Sequence, residues 1–121
     1  MIKGFEQHTK ALTPEQMIIV QWLDDYFAGR TNFTPPSKNK PVKAPVLCRA
    51  IKDIFSLTTF PESTLRSMIN HLRQNGSTPI LSSGKGYWTS RDKDELRENI
   101  ESLEQRSRSI QTAADGLKRF L

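Results

Sequence analysis

Glu62-Ser63-Thr64-Leu65-Arg66-Ser67-Met68-Ile69-Asn70-His71-Leu72-Arg73-Gln74 decides the fold of this 121-residue chain. Leu65, Met68, Ile69 and Leu72 recur at helical spacing, so the stretch reads as an amphipathic helix with those four side chains inward. Pro61-Glu62 opens it and Asn75-Gly76 stops it. Immediately upstream, Val46 to Phe55 reads as a short helix with Leu47, Ala50, Ile51 and Ile54 inward, and Leu57-Thr58-Thr59-Phe60 is a tight connection. Two short helices joined by a few residues, the second amphipathic and basic, form a helix-turn-helix pattern. Downstream, Pro79 to Ser82 and Tyr87 to Thr89 are β-prone runs around Gly84-Lys85-Gly86, the signature of a hairpin.

With this order of elements a resemblance emerges. Ser63 to Arg73, followed by Pro79-Ile80-Leu81-Ser82-Ser83-Gly84-Lys85-Gly86-Tyr87-Trp88, is similar to the recognition helix and wing of small bacteriophage and prophage winged-helix proteins. The similarity covers roughly residues 45–90 and is silent on the rest. It implies a winged helix-turn-helix with a small antiparallel hairpin; taken with the helical patterns on either side of it, the expected fold is mainly α, a winged-helix domain over residues 1–90 followed by a long C-terminal helix over 91–121. It also implies double-stranded DNA as the partner, in replication initiation or transcriptional regulation.

The residues themselves lead the same way. With Leu65, Ile69 and Leu72 inward, Ser63, Arg66, Ser67, Asn70 and Arg73 face outward, beside Thr64 and Gln74. That stripe carries hydroxyls, an amide and two guanidinium groups. Arg reads guanine O6 and N7, Asn reads adenine N6 and N7, and Ser bonds phosphates or bases. A helix face that meets only solvent more often mixes Glu with Lys. Lys85, at the hairpin tip, is either a turn residue or a contact in or beside the minor groove. Tyr87 and Trp88 read as core and sheet residues, with alternation turning one of them toward the third helix.

Charge supports a polyanionic partner. Residues 30–90 hold nine Lys or Arg against Asp53 and Glu62, a local excess of +7. The flanks are acidic (residues 1–29, two against four) or balanced (residues 91–121, seven against seven). Four prolines and three lysines between Arg30 and Pro45 forbid regular helix, so residues 30–45 read as an extended, mobile loop. It is either a connector or a basic arm along a DNA backbone.

Before this loop, Thr13-Pro14-Glu15-Gln16 is a capping box with proline at the first helical position. The helix that follows runs to Gly29 and has an unusually wide apolar arc, from Ile18 to Phe27. The C-terminal helix carries Leu96, Ile100, Leu103, Ser107, Ile110, Ala114, Leu117 and Leu121 at spacings of four and three, a heptad seam. Leu96, Ile100, Leu103, Ile110 and Leu117 are therefore dimerisation residues for a homodimer. The alternative is packing on the apolar arc of the first helix. Gly116 is a point at which the C-terminal helix would end early.

Several function classes lose support. His8 and His71 lack companions at metal-ligand spacing, and Cys48 has no evident partner base, so no metal, cofactor or catalytic group is expected. Gly84-Lys85-Gly86 lacks the rest of a phosphate-binding loop. Asp24-Asp25 reads as solvated. Met1-Ile2-Lys3-Gly4-Phe5-Glu6 lacks the apolar run of a secretory signal, and no stretch is apolar enough for a membrane span. A single cysteine fits a reducing cytoplasm. The expectation is a cytoplasmic DNA-binding protein, not an enzyme. The alternative is a winged-helix module that binds a host or phage replication or transcription protein.

Overall fold

The computed structural model describes residues 12–121, and the readings of Met1 to Glu6 and of His8 lie outside them. The fold is mainly helical: four helices and one two-stranded antiparallel hairpin among the described residues. Two compact units, Met1–Thr89 and Ser90–Leu121, divide the chain.

Helix α1 is Pro14–Phe27. Its start is chemically fixed: Gln16 N–H donates to Thr13 Oγ1 at 3.1 Å and Thr13 N–H donates to Gln16 Oε1 at 3.0 Å, with Pro14 in the first turn. Two amides that no helical carbonyl can reach are thereby satisfied. Gly29, at φ +78°, turns the chain away in a left-handed conformation that glycine adopts without strain. Ile19, Val20, Leu23, Tyr26 and Phe27 are buried. The wide arc is covered by aromatic contacts. Trp22 stacks on Tyr26 at 5.4 Å and meets the edges of Phe33 and Phe55 at 6.2 and 6.4 Å. Ile18 of this arc remains exposed, as does Met17 just before it.

Helix α2 is Ala44–Phe55, two residues longer at its start than its apolar pattern suggests, because Pro45 suits the first turn of a helix. Leu47, Cys48 and Ile51 are buried. Ile54, expected inward, is 42% exposed; Phe55, four residues after Ile51, takes the inward position against Trp22. Ser56, with φ 53°, ends the helix in the left-handed region. Helix α3, Glu62–Asn75, buries Leu65, Met68, Ile69 and Leu72 as its spacing requires. Each such side chain contributes about 1.5–3 kcal/mol through removal from water. Together with Phe60 and Ile80 they join the side chains of α1 and α2 in one core.

Strands β1 (Ile80–Ser83) and β2 (Gly86–Thr89) pair with Leu81 opposite Trp88 and Ser82 opposite Tyr87. Alternation sends Ile80 and Tyr87 to the face that packs on this core, and Leu81 and Trp88 to the other, where both are also buried. The two aromatic residues therefore serve opposite faces.

The proline-lysine loop departs from the sequence expectation of mobility. Val42 and Tyr87 exchange two backbone hydrogen bonds, both 2.8 Å, and Thr89 N–H donates to Pro36 O at 3.1 Å. Between these points Ser37 and Lys40 close a tight turn, with bonds of 3.0 and 3.3 Å. The outer edge of β2 is thus paired, not open. Local patterning does not reveal this, because the partner lies more than forty residues away along the chain.

The second unit contains helix α4, Lys93–Lys118, 26 residues and about 39 Å long at 1.5 Å per residue. Asp92 caps it, accepting from the Asp94 amide at 3.4 Å. Gly116 lies inside the helix and does not end it.

Gly86 is the residue most constrained by the loop. Its φ is +130°, and a Cβ there would run into the carbonyl of Val42. Gly84, next to the hairpin tip, has open space around it. Gly86→Ala should therefore lower unfolding stability by about 1–3 kcal/mol, whereas Gly84→Ala should change it by less than about 0.5 kcal/mol. Urea titration of both variants checks this; equal effects would deny the close approach of loop and strand.

Candidate nucleic-acid interface

The outward side of α3 is built by the same periodicity that builds its core. Ser63, Ser67, Asn70 and Gln74 are all exposed, on the side opposite Leu65 and Leu72. Ser67 Oγ donates to the carbonyl of Ser63 at 3.1 Å, so one hydroxyl of this row is partly engaged by its own helix. Thr64 and His71 are half-buried on one flank. Arg66 is exposed on the other flank, near enough to β2 and α2 for its charge to act on the Tyr87 hydroxyl and the Cys48 thiol.

Arg73 does not stand free among these residues. Its Nε donates to the carbonyl of Ile80 at 2.8 Å and its Nη2 donates to Ser82 Oγ at 2.8 Å. The guanidinium locks β1 onto the C-terminal end of α3. The sequence placed it on the outward stripe because spacing alone does not see the strand that returns beside it. Glu62 also qualifies that stripe. It is exposed one turn before Arg66, and its charge reaches Cys48 and Tyr87 as well. The row from Ser63 to Gln74 is free of carboxylates, but one borders it.

The basic block divides in a similar way. Arg30 turns back onto α1, with Nε 2.9 Å from Asp25 and Nη2 3.4 Å from Asp24, so the expected solvated acidic pair is occupied. With Arg30 and Arg73 engaged, Lys38, Lys40, Lys43, Arg49, Lys52, Arg66 and Lys85 remain without an ion pair among the described residues. All but Lys52 are exposed. Lys43 precedes α2, and its backbone lies against Gly86, beside Lys85 at the hairpin tip. Lys43 was legible only as part of a basic loop; its position beside the hairpin follows from strand pairing.

Cys48 is buried, and burial first, then the charge of Glu62, pushes its thiol above the ordinary value of 9.0, while Arg66 and Lys52 oppose this. A thiol kept protonated is a poor nucleophile. Burial likewise raises the Tyr87 hydroxyl, against Arg73 and Arg66. An open cleft of about 420 Å³ lies between Tyr26, the loop at Pro35 and Pro41, and Val46; no carboxylate, imidazole or thiol lines it. No cluster of three or more His, Cys, Asp or Glu fit to hold a metal occurs among the described residues, and no described helix is long and apolar enough to cross a membrane.

In the second unit, α4 has no buried residue. Ile100, Ile110 and Leu117 of its heptad seam are 54, 68 and 70% exposed, and Leu96 and Leu103 are half-buried. Its ion pairs, Arg97 with Asp94 and Lys118 with Asp115, are exposed links one turn apart and contribute little.

Arg73→Ala should lower unfolding stability by about 1–3 kcal/mol, since it leaves the Ile80 carbonyl and Ser82 hydroxyl without their charged donor. Thermal or urea denaturation measures it; an unchanged midpoint would return Arg73 to the exposed stripe.

No protein-family model matches this chain, and neither a curated protein nor a solved structure matches it.

Proposed function

We propose that this protein binds duplex DNA as a winged-helix protein. Helix α3 lies in the major groove, and the β1–β2 hairpin stands beside it with Lys85 against the backbone. The observation that carries the reading is the exposed polar row of α3, Ser63, Ser67 and Asn70, flanked by an Arg66 that makes no ion pair among the described residues. Hydroxyl, amide and guanidinium groups are the donors and acceptors that base edges match, and the remaining lysines supply phosphate contacts. No catalysis is assigned to it. By resemblance its role is replication initiation or transcriptional regulation of phage or prophage type, in the cytoplasm.

We also propose that it acts as a homodimer through α4. Ile100 and Leu103 sit at a and d positions, a combination suited to two strands. Isolated helices gain little from standing alone in water, and burying the seam against a second copy offsets the cost of ordering it. Two copies also double the phosphate contacts.

A second reading, a winged-helix module for a host or phage protein, draws support from Met17 and Ile18, which α1 leaves 40 and 63% exposed. The two readings differ in salt dependence. Affinity for DNA falls steeply with log salt, in proportion to the phosphates contacted. Sequencing of fragments retained from random duplex DNA tests the first reading, with enrichment of a motif expected; absence of retention at low salt would favour the second.

Arg66→Ala should weaken binding to the selected site by about 1–3 kcal/mol and narrow the gap to scrambled DNA, the effect of losing a bidentate base contact. Fluorescence anisotropy on both duplexes measures it, and equal affinities for mutant and parent would remove Arg66 from the interface. For assembly, Ile100→Asp combined with Leu103→Asp should convert a dimer into a folded monomer. Sedimentation of parent and variant at tens of micromolar decides this; a monomeric parent would end the dimer proposal.

A further inference from the structure

The loop that the hairpin holds has a role that its composition alone does not assign. Lys38, Lys40 and Lys43 are exposed, and no carboxylate occurs in the sequence between Asp25 and Asp53. None of the three makes an ion pair among the described residues. Their backbone is fixed at three places: the Ser37–Lys40 turn, the Pro36–Thr89 bond and the reciprocal Val42–Tyr87 pair. Lys43 then reaches the hairpin tip, with its amide against Gly86 and next to Lys85 in the turn.

Holding like charges along one short segment is unfavourable in isolation and becomes favourable against a polyanion. A mobile lysine arm loses conformational entropy on binding, whereas this segment is ordered when the chain folds. A proline narrows the kind of partner. Pro41, next to the Val42 that bonds to β2, has no N–H to offer on the opposite side, so the outer side of this third, irregular strand cannot pair regularly with another chain. What it presents outward is side-chain charge.

We infer that Ser37 to Lys43 is a phosphate-binding ridge for duplex DNA, continuous with Lys85. The β2 edge holds it as an enlarged wing that follows the backbone while α3 reads bases. This inference rests on the DNA-binding reading above. The charges that would meet phosphate are Lys38, Lys40, Lys43 and Lys85; they carry affinity without sequence preference.

The test is the salt dependence of binding to two duplexes of unrelated sequence. The parent protein is compared with Lys38→Gln/Lys40→Gln/Lys43→Gln, and with Lys38→Gln/Lys40→Gln, which spares the residue preceding α2. At about 0.9 per phosphate contact, the slope of log affinity against log salt should shrink by about 2–3 in the triple variant and about 2 in the double, equally on both duplexes. Melting temperatures near the parent's would show the fold intact. If the parent binds and both variants keep its slope, the ridge is overturned while the α3 interface stands. If the parent binds neither duplex at any salt concentration, the DNA-binding reading fails and the ridge falls with it.

Discussion

The reciprocal pair of hydrogen bonds between Val42 and Tyr87 is the interaction on which the arrangement around α3 depends. It joins a segment early in the chain to the last strand of the first unit. It closes the outer edge of β2, which otherwise would present unpaired amides. It delivers the chain to Lys43 and Ala44, where α2 begins, and brings the Val42 carbonyl so close to Gly86 that only a residue without a side chain fits. It also sets Val42 and Tyr87 opposite one another on the face that packs on the core. A loop that composition marks as irregular thereby takes a place in the sheet.

Charge is sorted by the same geometry. Arg30 is drawn onto Asp24 and Asp25, and Arg73 onto the backbone and hydroxyl of β1. Both engagements are structural: one ties the end of α1 to the loop that follows it, the other ties α3 to the hairpin. The cations left over are those of the loop, of the outer side of α2, of Arg66 and of the hairpin tip. A net charge treats these groups as equivalent, but their partners separate those that hold the fold from those that remain for a ligand.

Much of the architecture was legible because it is local. The Thr13–Gln16 capping box, the spacing of Leu65, Met68, Ile69 and Leu72, and the glycines around Lys85 each carry their instruction within a few residues. What escaped was non-local. Nothing near Val42 announces Tyr87, and nothing near Arg73 announces Ile80, since strand pairing and side-chain tethering join residues by topology and not by period. The exchange of Ile54 for Phe55 in the core has a similar cause: Trp22, on another helix, selects the aromatic ring. At the candidate interface, the row Ser63, Ser67 and Asn70 was readable from the helix wheel. The i,i+4 placement of Glu62 before Arg66 was readable there too; the engagement of Arg73 and the ordering of Lys38 to Lys43 were not.

The proposed surface has two parts, with α3 supplying groups suited to base edges and the fastened loop supplying charge suited to phosphates. Both parts are positioned by one small sheet. The most direct measurement is an amide NMR titration of the protein with duplex DNA. The account predicts that resonances of Ser63, Ser67 and Asn70 and those from Ser37 to Lys43 shift together, in one saturating transition, with Val42 and Tyr87 protected from hydrogen exchange before DNA is added. Saturating DNA that leaves both groups unmoved, or a Val42 amide that exchanges as freely as an open loop, would contradict it.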